Sequence, residues 1–135
     1  MKSIPFFIIC WNNGFMVKRT VDTCLKKFPQ CPIFVCDNGS THSTTINILK
    51  ELETKSNVTV NYHKKNCFIF FMSKNVPHEY MPEFYEKYTK DFYILTDPDL
   101  ELENLPENTI DTLYYFCTKY ECQKVGLALD ISRYK

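Results

Sequence analysis

Two carboxylates flanking a proline, Asp97-Pro98-Asp99, are the residues of this sequence best suited to carry chemistry. Both are hard oxygen donors. Such donors suit Mg²⁺ or Mn²⁺, ions that take one or two carboxylates and complete their shell with water and substrate phosphates. The proline fixes φ between them and removes an N–H. In isolation the tripeptide would read as a solvated turn, because Asp and Pro are good turn residues. The segment before it favours a metal site. Phe92-Tyr93-Ile94-Leu95 has the character of a strand, and it delivers both acids at its end.

Two further polar clusters follow apolar runs. Asp37-Asn38-Gly39-Ser40 supplies an acceptor for a nucleobase or ribose, with Gly39 permitting close backbone approach. The same four residues also make an ordinary strand-to-helix turn with Ser40 or Thr41 as cap, and both readings stay open. Asn12 and Asn13 precede Gly14, and Asn-Gly is a common turn pair. With three glycines in the chain there is no G-x-G-x-x-G and no P-loop. His42, His63 and His78 lack metal-ligand spacing. Lys26-Lys27 reads as a solvated face, while Lys64-Lys65 follows a strand end and could meet a diphosphate.

Strand-like and helix-like patterns alternate along the chain, which predicts an α/β fold. Residues 4–11 are a continuous apolar run, as in a strand covered on both faces. Phe15, Val17, Val21, Leu25 and Phe28 recur at helical spacing and predict a helix over 15–28. Ile33-Phe34-Val35-Cys36 is a second buried strand. Thr41 or Ser43 is expected to cap a helix to about residue 55, burying Ile46, Leu49 and Leu52. Val58, Val60 and Tyr62 alternate as a third strand. Phe68-Ile69-Phe70-Phe71-Met72 fits a short strand or the first turns of a buried helix, and residues 81–90 read as a helix after Pro77. Residues 91–95 form the next strand. Pro106 suits the first turn of a helix to about Cys122, with Ile110, Leu113, Phe116 and Cys117 inward. Val125-Gly126-Leu127-Ala128-Leu129 is expected as a final strand.

This order predicts one domain over residues 1–135, with a mostly parallel central sheet flanked by helices through right-handed crossovers. Such sheets bind ligands beyond the carboxyl ends of their strands. Asn12-Asn13, Asp37-Asn38 and Asp97 with Asp99 all fall at those ends.

Composition removes several other classes. Sixteen basic residues balance sixteen acidic ones, so the chain lacks the field that non-specific nucleic-acid binding requires. No stretch approaches the roughly 20 apolar residues of a membrane span. The N-terminal apolar run is short and closes in a loop at Trp11-Asn12-Asn13-Gly14, which fits a strand better than a signal peptide. The seven cysteines are odd in number and contain no C-x-x-C, so structural zinc is not expected. Several lie in apolar runs as small core hydrophobes, which points to a reducing, cytoplasmic setting.

Ile4–Asn13, Phe34–Thr41, Asp91–Leu100 and the later Lys124–Ile131 together resemble the GT-A fold glycosyltransferases that use nucleotide sugars, in particular family 2-like sequences. The resemblance covers the chain end to end in the expected order. It implies a GT-A, Rossmann-like fold and sugar transfer from a nucleotide diphosphate donor to a glycan or protein acceptor, with Mn²⁺ or Mg²⁺ as cofactor. Carried over, Asp37 contacts the base or ribose together with Asn38, and the Asn12-Asn13 loop lines the nucleotide. Asp97 faces the ribose or a metal-bound water, and Asp99 ligates the metal.

The chain departs from that family in two places. Asn66-Cys67-Phe68-Ile69-Phe70 stands where relatives carry a sugar-binding loop, so no sugar contacts carry over. The sequence also ends at Lys135, where relatives continue into an acceptor-binding half. Ser132-Arg133 follows Asp130-Ile131, which leaves Asp130 as a candidate base and no assigned one. That shortness leaves room for a partner chain or a homo-oligomer. It also keeps open a donor-binding module without turnover and a pure interaction domain.

Overall fold

The computed structural model describes residues 2–64, 66 and 91–128. Four strands, β1 (Phe6–Cys10), β2 (Ile33–Asp37), β3 (Val58–Tyr62) and β4 (Ile94–Thr96), form one parallel sheet in the order β3-β2-β1-β4. Helix α1 (Gly14–Lys27) connects β1 to β2, α2 (Ser43–Glu53) connects β2 to β3, and α3 (Thr109–Lys119) follows β4. The α/β parallel-sheet expectation therefore holds for the described residues.

Side-chain alternation divides the sheet into two faces. Phe6, Ile8 and Cys10 of β1 join Ile33 and Val35 of β2 and Val58 and Val60 of β3 on one of them. All three described helices contribute to that cluster: Val17, Val21 and Cys24 from α1, Ile48, Leu49 and Leu52 from α2, and Ile110 from α3. Each fully buried aliphatic of this set contributes about 1.5–3 kcal/mol relative to exposure. The other face is aromatic. Phe7 and Phe34 stack at 5.2 Å, and Tyr93 meets Phe7 edge-on at 5.8 Å.

Several expected boundaries moved. The first strand starts at Phe6 rather than residue 4, and β4 spans Ile94–Thr96 instead of 91–95. The two shifts share a cause. β4 takes its register from Phe6↔Ile94, and its first bond runs from the Ile94 N–H to the Pro5 carbonyl. Pro5 has no N–H to extend the ladder in return.

On α1, Phe15 is 73% exposed, not inward, and Thr20 and Cys24 complete the buried stripe with Val17 and Val21. On α2, Ile48 takes the buried place expected of Ile46, and His42, not Thr41 or Ser43, is the N-cap. Pro106 lies before α3, its carbonyl accepting the N–H and the hydroxyl of Thr109. Phe116 is 40% exposed and Leu113 and Cys117 are half-buried, because Ile110 and Tyr114, one turn apart, set the inward side. Residues 125–128 are not a strand; Leu127 is 52% exposed and pairs with no described strand. The expectations for 66–90 rest on residues outside those described, apart from Asn66, as do Leu129 and Asp130.

Cys10, Cys24, Cys31 and Cys36 are buried free thiols, as their apolar settings suggest. No helix among the described residues is long and apolar enough to cross a membrane.

Candidate functional site

From β1 the chain steps outward through β2 to β3, and β4 then returns on the far side of β1. Strand order thus reverses between β1 and β4. In open parallel sheets a ligand crevice forms at that reversal, beyond the carboxyl ends of the strands. Ile8 pairs with Thr96, so Asp97 leaves the sheet beside the end of β1, where Trp11, Asn12 and Asn13 also leave it. Asp37 closes β2 opposite Cys10, with Asn38 next, and His63 and Lys64 follow β3. All the expected polar pairs therefore lie along one edge.

On the β1–β2 side those residues are bound to one another. Asn12 adopts φ 56, a left-handed conformation that asparagine tolerates better than most residues. Its Oδ1 accepts the N–H groups of Thr41 at 2.8 Å and His42 at 2.9 Å, so it caps α2 from a different loop. The Asn12 N–H donates to Ser40 Oγ at 2.9 Å. Ser40 in turn donates its hydroxyl to Asp37 Oδ1 and its N–H to both carboxylate oxygens at 3.2 Å. Asp37 is 3% exposed. Asn38 donates its N–H to the Cys10 carbonyl at 2.8 Å, and Gly39 turns the chain at φ 77.

The two helices meet at the same place. Gly14 opens α1 and donates its N–H to Thr45 Oγ1 at 3.2 Å. A Cβ on Gly14 would lie 2.9 Å from the Thr45 Cα, closer than backbone allows. Asn13 is the N-cap of α1 by backbone, its carbonyl accepting from Met16 and Val17. Its side-chain Oδ1 accepts the Trp11 N–H at 3.2 Å.

Cys10 lies fully buried at this edge. Burial pushes it up to about 11, opposed by its contact with Ser40 and reinforced by the Asp37 charge, so it stays protonated. Burial lowers His63, and the nearby Asp37 charge opposes that shift. The His63 backbone N–H donates to the Asp37 carbonyl at 2.8 Å.

The Asp97–Asp99 turn is organised differently. Pro98 is buried and its carbonyl accepts the Thr20 hydroxyl of α1 at 2.8 Å. Thr96 Oγ1 donates to the Asp97 carbonyl at 3.0 Å. Farther along, Glu103 meets Thr23 at 3.3 Å and Arg19 at 3.9 Å. The backbone is fastened to α1 while both carboxylates are exposed. Among the described residues neither carboxylate has a hydrogen-bond or ion-pair partner.

No group of three or more His, Cys, Asp or Glu suited to a metal occurs among the described residues. Two hard donors at a strand end fit Mg²⁺ or Mn²⁺ on one condition, that substrate phosphates and water supply the remaining ligands. That is their usual pattern.

Two residues of this edge escape a reading for polar motifs. Thr20 lies on the buried stripe of α1, and a hydroxyl there must find a partner; its place among Val17, Val21 and Cys24 is the available signal. Trp11, the sole tryptophan, follows an apolar strand directly and is 55% exposed at the carboxyl edge. No protein-family model matches this chain, and no curated protein matches it.

Proposed function

We propose that the chain is the donor-binding domain of a metal-dependent glycosyltransferase, taking a nucleotide sugar as donor and holding Mn²⁺ or Mg²⁺ at Asp97-Pro98-Asp99. The observation that supports this most is the position of the two exposed carboxylates. They stand where strand order reverses, on a turn whose backbone is anchored while its side chains are free among the described residues.

In this reading Asp99 is a metal ligand, and Asp97 is a second ligand or faces the ribose. When bound, the metal neutralises charge developing on the departing nucleoside diphosphate. The loop at Asn12-Asn13 and the turn at Asp37-Asn38 line the nucleotide. Asp37 is buried against Ser40, so it acts chiefly by fixing the turn and, through Ser40, the Asn12 backbone. Preorganised groups of this kind favour transfer without a protein nucleophile. The acceptor is a glycan or protein hydroxyl.

A thermal-shift screen of nucleotide sugars with and without Mn²⁺ tests the proposal. A donor present at about 100 times its Kd stabilises the fold by about 2.7 kcal/mol when it binds only the native state. The positive donor should then release nucleoside diphosphate slowly in the presence of Mn²⁺, as water replaces the acceptor. Metal-dependent binding without release, even with candidate acceptors or partner chains added, makes the chain a donor-binding module. No shift with any donor removes the proposal.

A further inference from the structure

Helix α3 ends in a left-handed cap that brings two cysteines together. Glu121 adopts φ 49, its N–H donates to the Thr118 carbonyl at 3.4 Å, and the Cys122 N–H donates to the Cys117 carbonyl at 3.1 Å. This nested pair, one bond spanning five residues around another spanning three, is the Schellman arrangement with Glu121 in the left-handed position. Its geometry makes the side chain three residues before the cap region meet the one just past it, a contact usually made by two apolar groups. Here both are cysteines.

Each sulfur lies against backbone carbonyls of the same cap. Cys117 Sγ donates to the Cys122 carbonyl at 3.2 Å, and Cys122 Sγ lies 3.7 Å from the Phe116 carbonyl and 3.9 Å from that of Cys117. Burial first, and then the adjacent Cys122 thiol, raise the Cys117 thiol above its ordinary value. Both residues are half-exposed, unlike the fully buried Cys10, Cys24, Cys31 and Cys36, so small reagents reach them. The closed 6→1 bond draws the two Cα atoms toward the roughly 4.4–6.8 Å separation that a disulfide spans.

We propose that Cys117 and Cys122 are a reversible dithiol–disulfide site, oxidised by a low-molecular-weight disulfide of the glutathione type. The thiolate of one cysteine attacks a sulfur of the reagent, breaks its S–S bond and expels one reagent thiolate, giving a mixed disulfide. The second cysteine, deprotonated, then attacks the protein sulfur of that bond and expels the other reagent thiolate. One intramolecular S–S bond replaces the reagent's. Two protons and two electrons pass from the protein to the two reagent thiols. The product fastens the last turn of α3 and holds Tyr120, which stacks on Phe116 at 6.0 Å beneath the Lys119 ammonium. The site is separate from the carboxyl edge of the sheet and stands whether or not that edge binds a nucleotide.

The full native chain, equilibrated in glutathione buffers of graded ratio, quenched by alkylation and mapped by mass spectrometry, gives the test. The expected result is a Cys117–Cys122 cross-linked peptide that appears with one midpoint and disappears on return to reduced buffer, while the buried cysteines stay reduced. Mixed disulfides with glutathione at either residue and no cross-link would overturn the proposal. So would no oxidation at either position. Glu121→Pro forbids the left-handed cap in an exposed residue beyond the helix and should lower the cross-linking equilibrium at least tenfold, whereas Glu121→Gly should preserve it. Equal cross-linking in wild type and Glu121→Pro would show that the cap does not pair the thiols.

Discussion

The two halves of the candidate site treat the same kind of residue in opposite ways. On the β1–β2 side, Asn12, Asp37 and Ser40 form a bonded chain that reaches the entry to α2, Thr45 of α2 accepts the Gly14 N–H at the start of α1, and Asp37 is buried. On the β4 side, Asp97 and Asp99 face solvent, and the backbone between them carries the anchoring bond from Thr20. Both sets are polar residues at the ends of parallel strands. The difference teaches that location at the carboxyl edge does not distinguish a residue that builds the edge from one that acts there. The destination of its side-chain hydrogen bonds separates a residue committed to building the edge from one left open to a ligand.

The comparison ranks substitutions by their effect on stability. Asp37→Ala should be the most damaging, by about 2–3 kcal/mol, because it removes a charged acceptor and leaves the Ser40 N–H without its partner. Urea unfolding with an unchanged slope and a lowered midpoint checks this. A change within about 0.5 kcal/mol would mean that the Ser40 contacts do little for the fold, and Asp37 would then belong with Asp97 and Asp99.

Gly14→Ala comes next. The added Cβ meets Thr45 backbone at 2.9 Å rather than a side chain that can swing away, so α1 and α2 must separate slightly. Overpacking of this sort costs about 1–3 kcal/mol. The same unfolding experiment should show it. If Gly14→Ala is neutral, the two helix starts are less tightly joined than the Gly14–Thr45 bond implies.

Thr20→Val tests the fastening of the other half. It keeps the shape of the side chain but leaves the Pro98 carbonyl unpaired, at a cost of about 1 kcal/mol. Metal-dependent nucleotide binding should weaken along with stability, since the turn that carries both acids loses its anchor. A loss of stability with unchanged affinity would separate the anchor from the site.

Much of this architecture could be read from the chain itself. The runs at Ile33-Phe34-Val35-Cys36 and Val58, Val60 and Tyr62, and the stripe of Leu49 and Leu52, became the strands and helix they predict, because apolar residues mark the buried positions there: all of β2, Val58 and Val60 though not Tyr62 of β3, and Leu49 and Leu52 of α2. The polar residues after β1, β2 and β4 were visible for the same reason. What was hidden depended on partners far along the chain. Nothing near Asn12 in sequence indicates that it caps a helix about thirty residues on, and nothing near Pro98 indicates Thr20, seventy-eight residues earlier. Val125-Gly126-Leu127 has strand composition, yet residues 125–128 meet no partner ladder among the described strands, and composition cannot supply one.

Asp99→Ala should have the smallest effect on stability and a decisive one on binding. An exposed carboxylate without a protein partner among the described residues contributes little to the folded state, and substitutions at such sites usually fall within about 0.5 kcal/mol. Under the proposed function Asp99 is the protein's metal ligand, with Asp97 at most a second one, so this change removes half or all of the protein's hold on the ion. The expected outcome is therefore an unfolding midpoint equal to that of the unaltered chain, with no Mn²⁺-dependent stabilisation by any nucleotide sugar. Asp99→Asn should behave similarly, because a neutral amide oxygen is a poorer ligand for a hard dication. Both variants are to be measured beside Asp37→Ala under identical conditions, since that variant should lower the midpoint where these do not. If Asp99→Ala instead unfolds the chain, or binds donor and metal as the parent does, the exposed turn is not the metal site, and the contrast between the two halves has another cause.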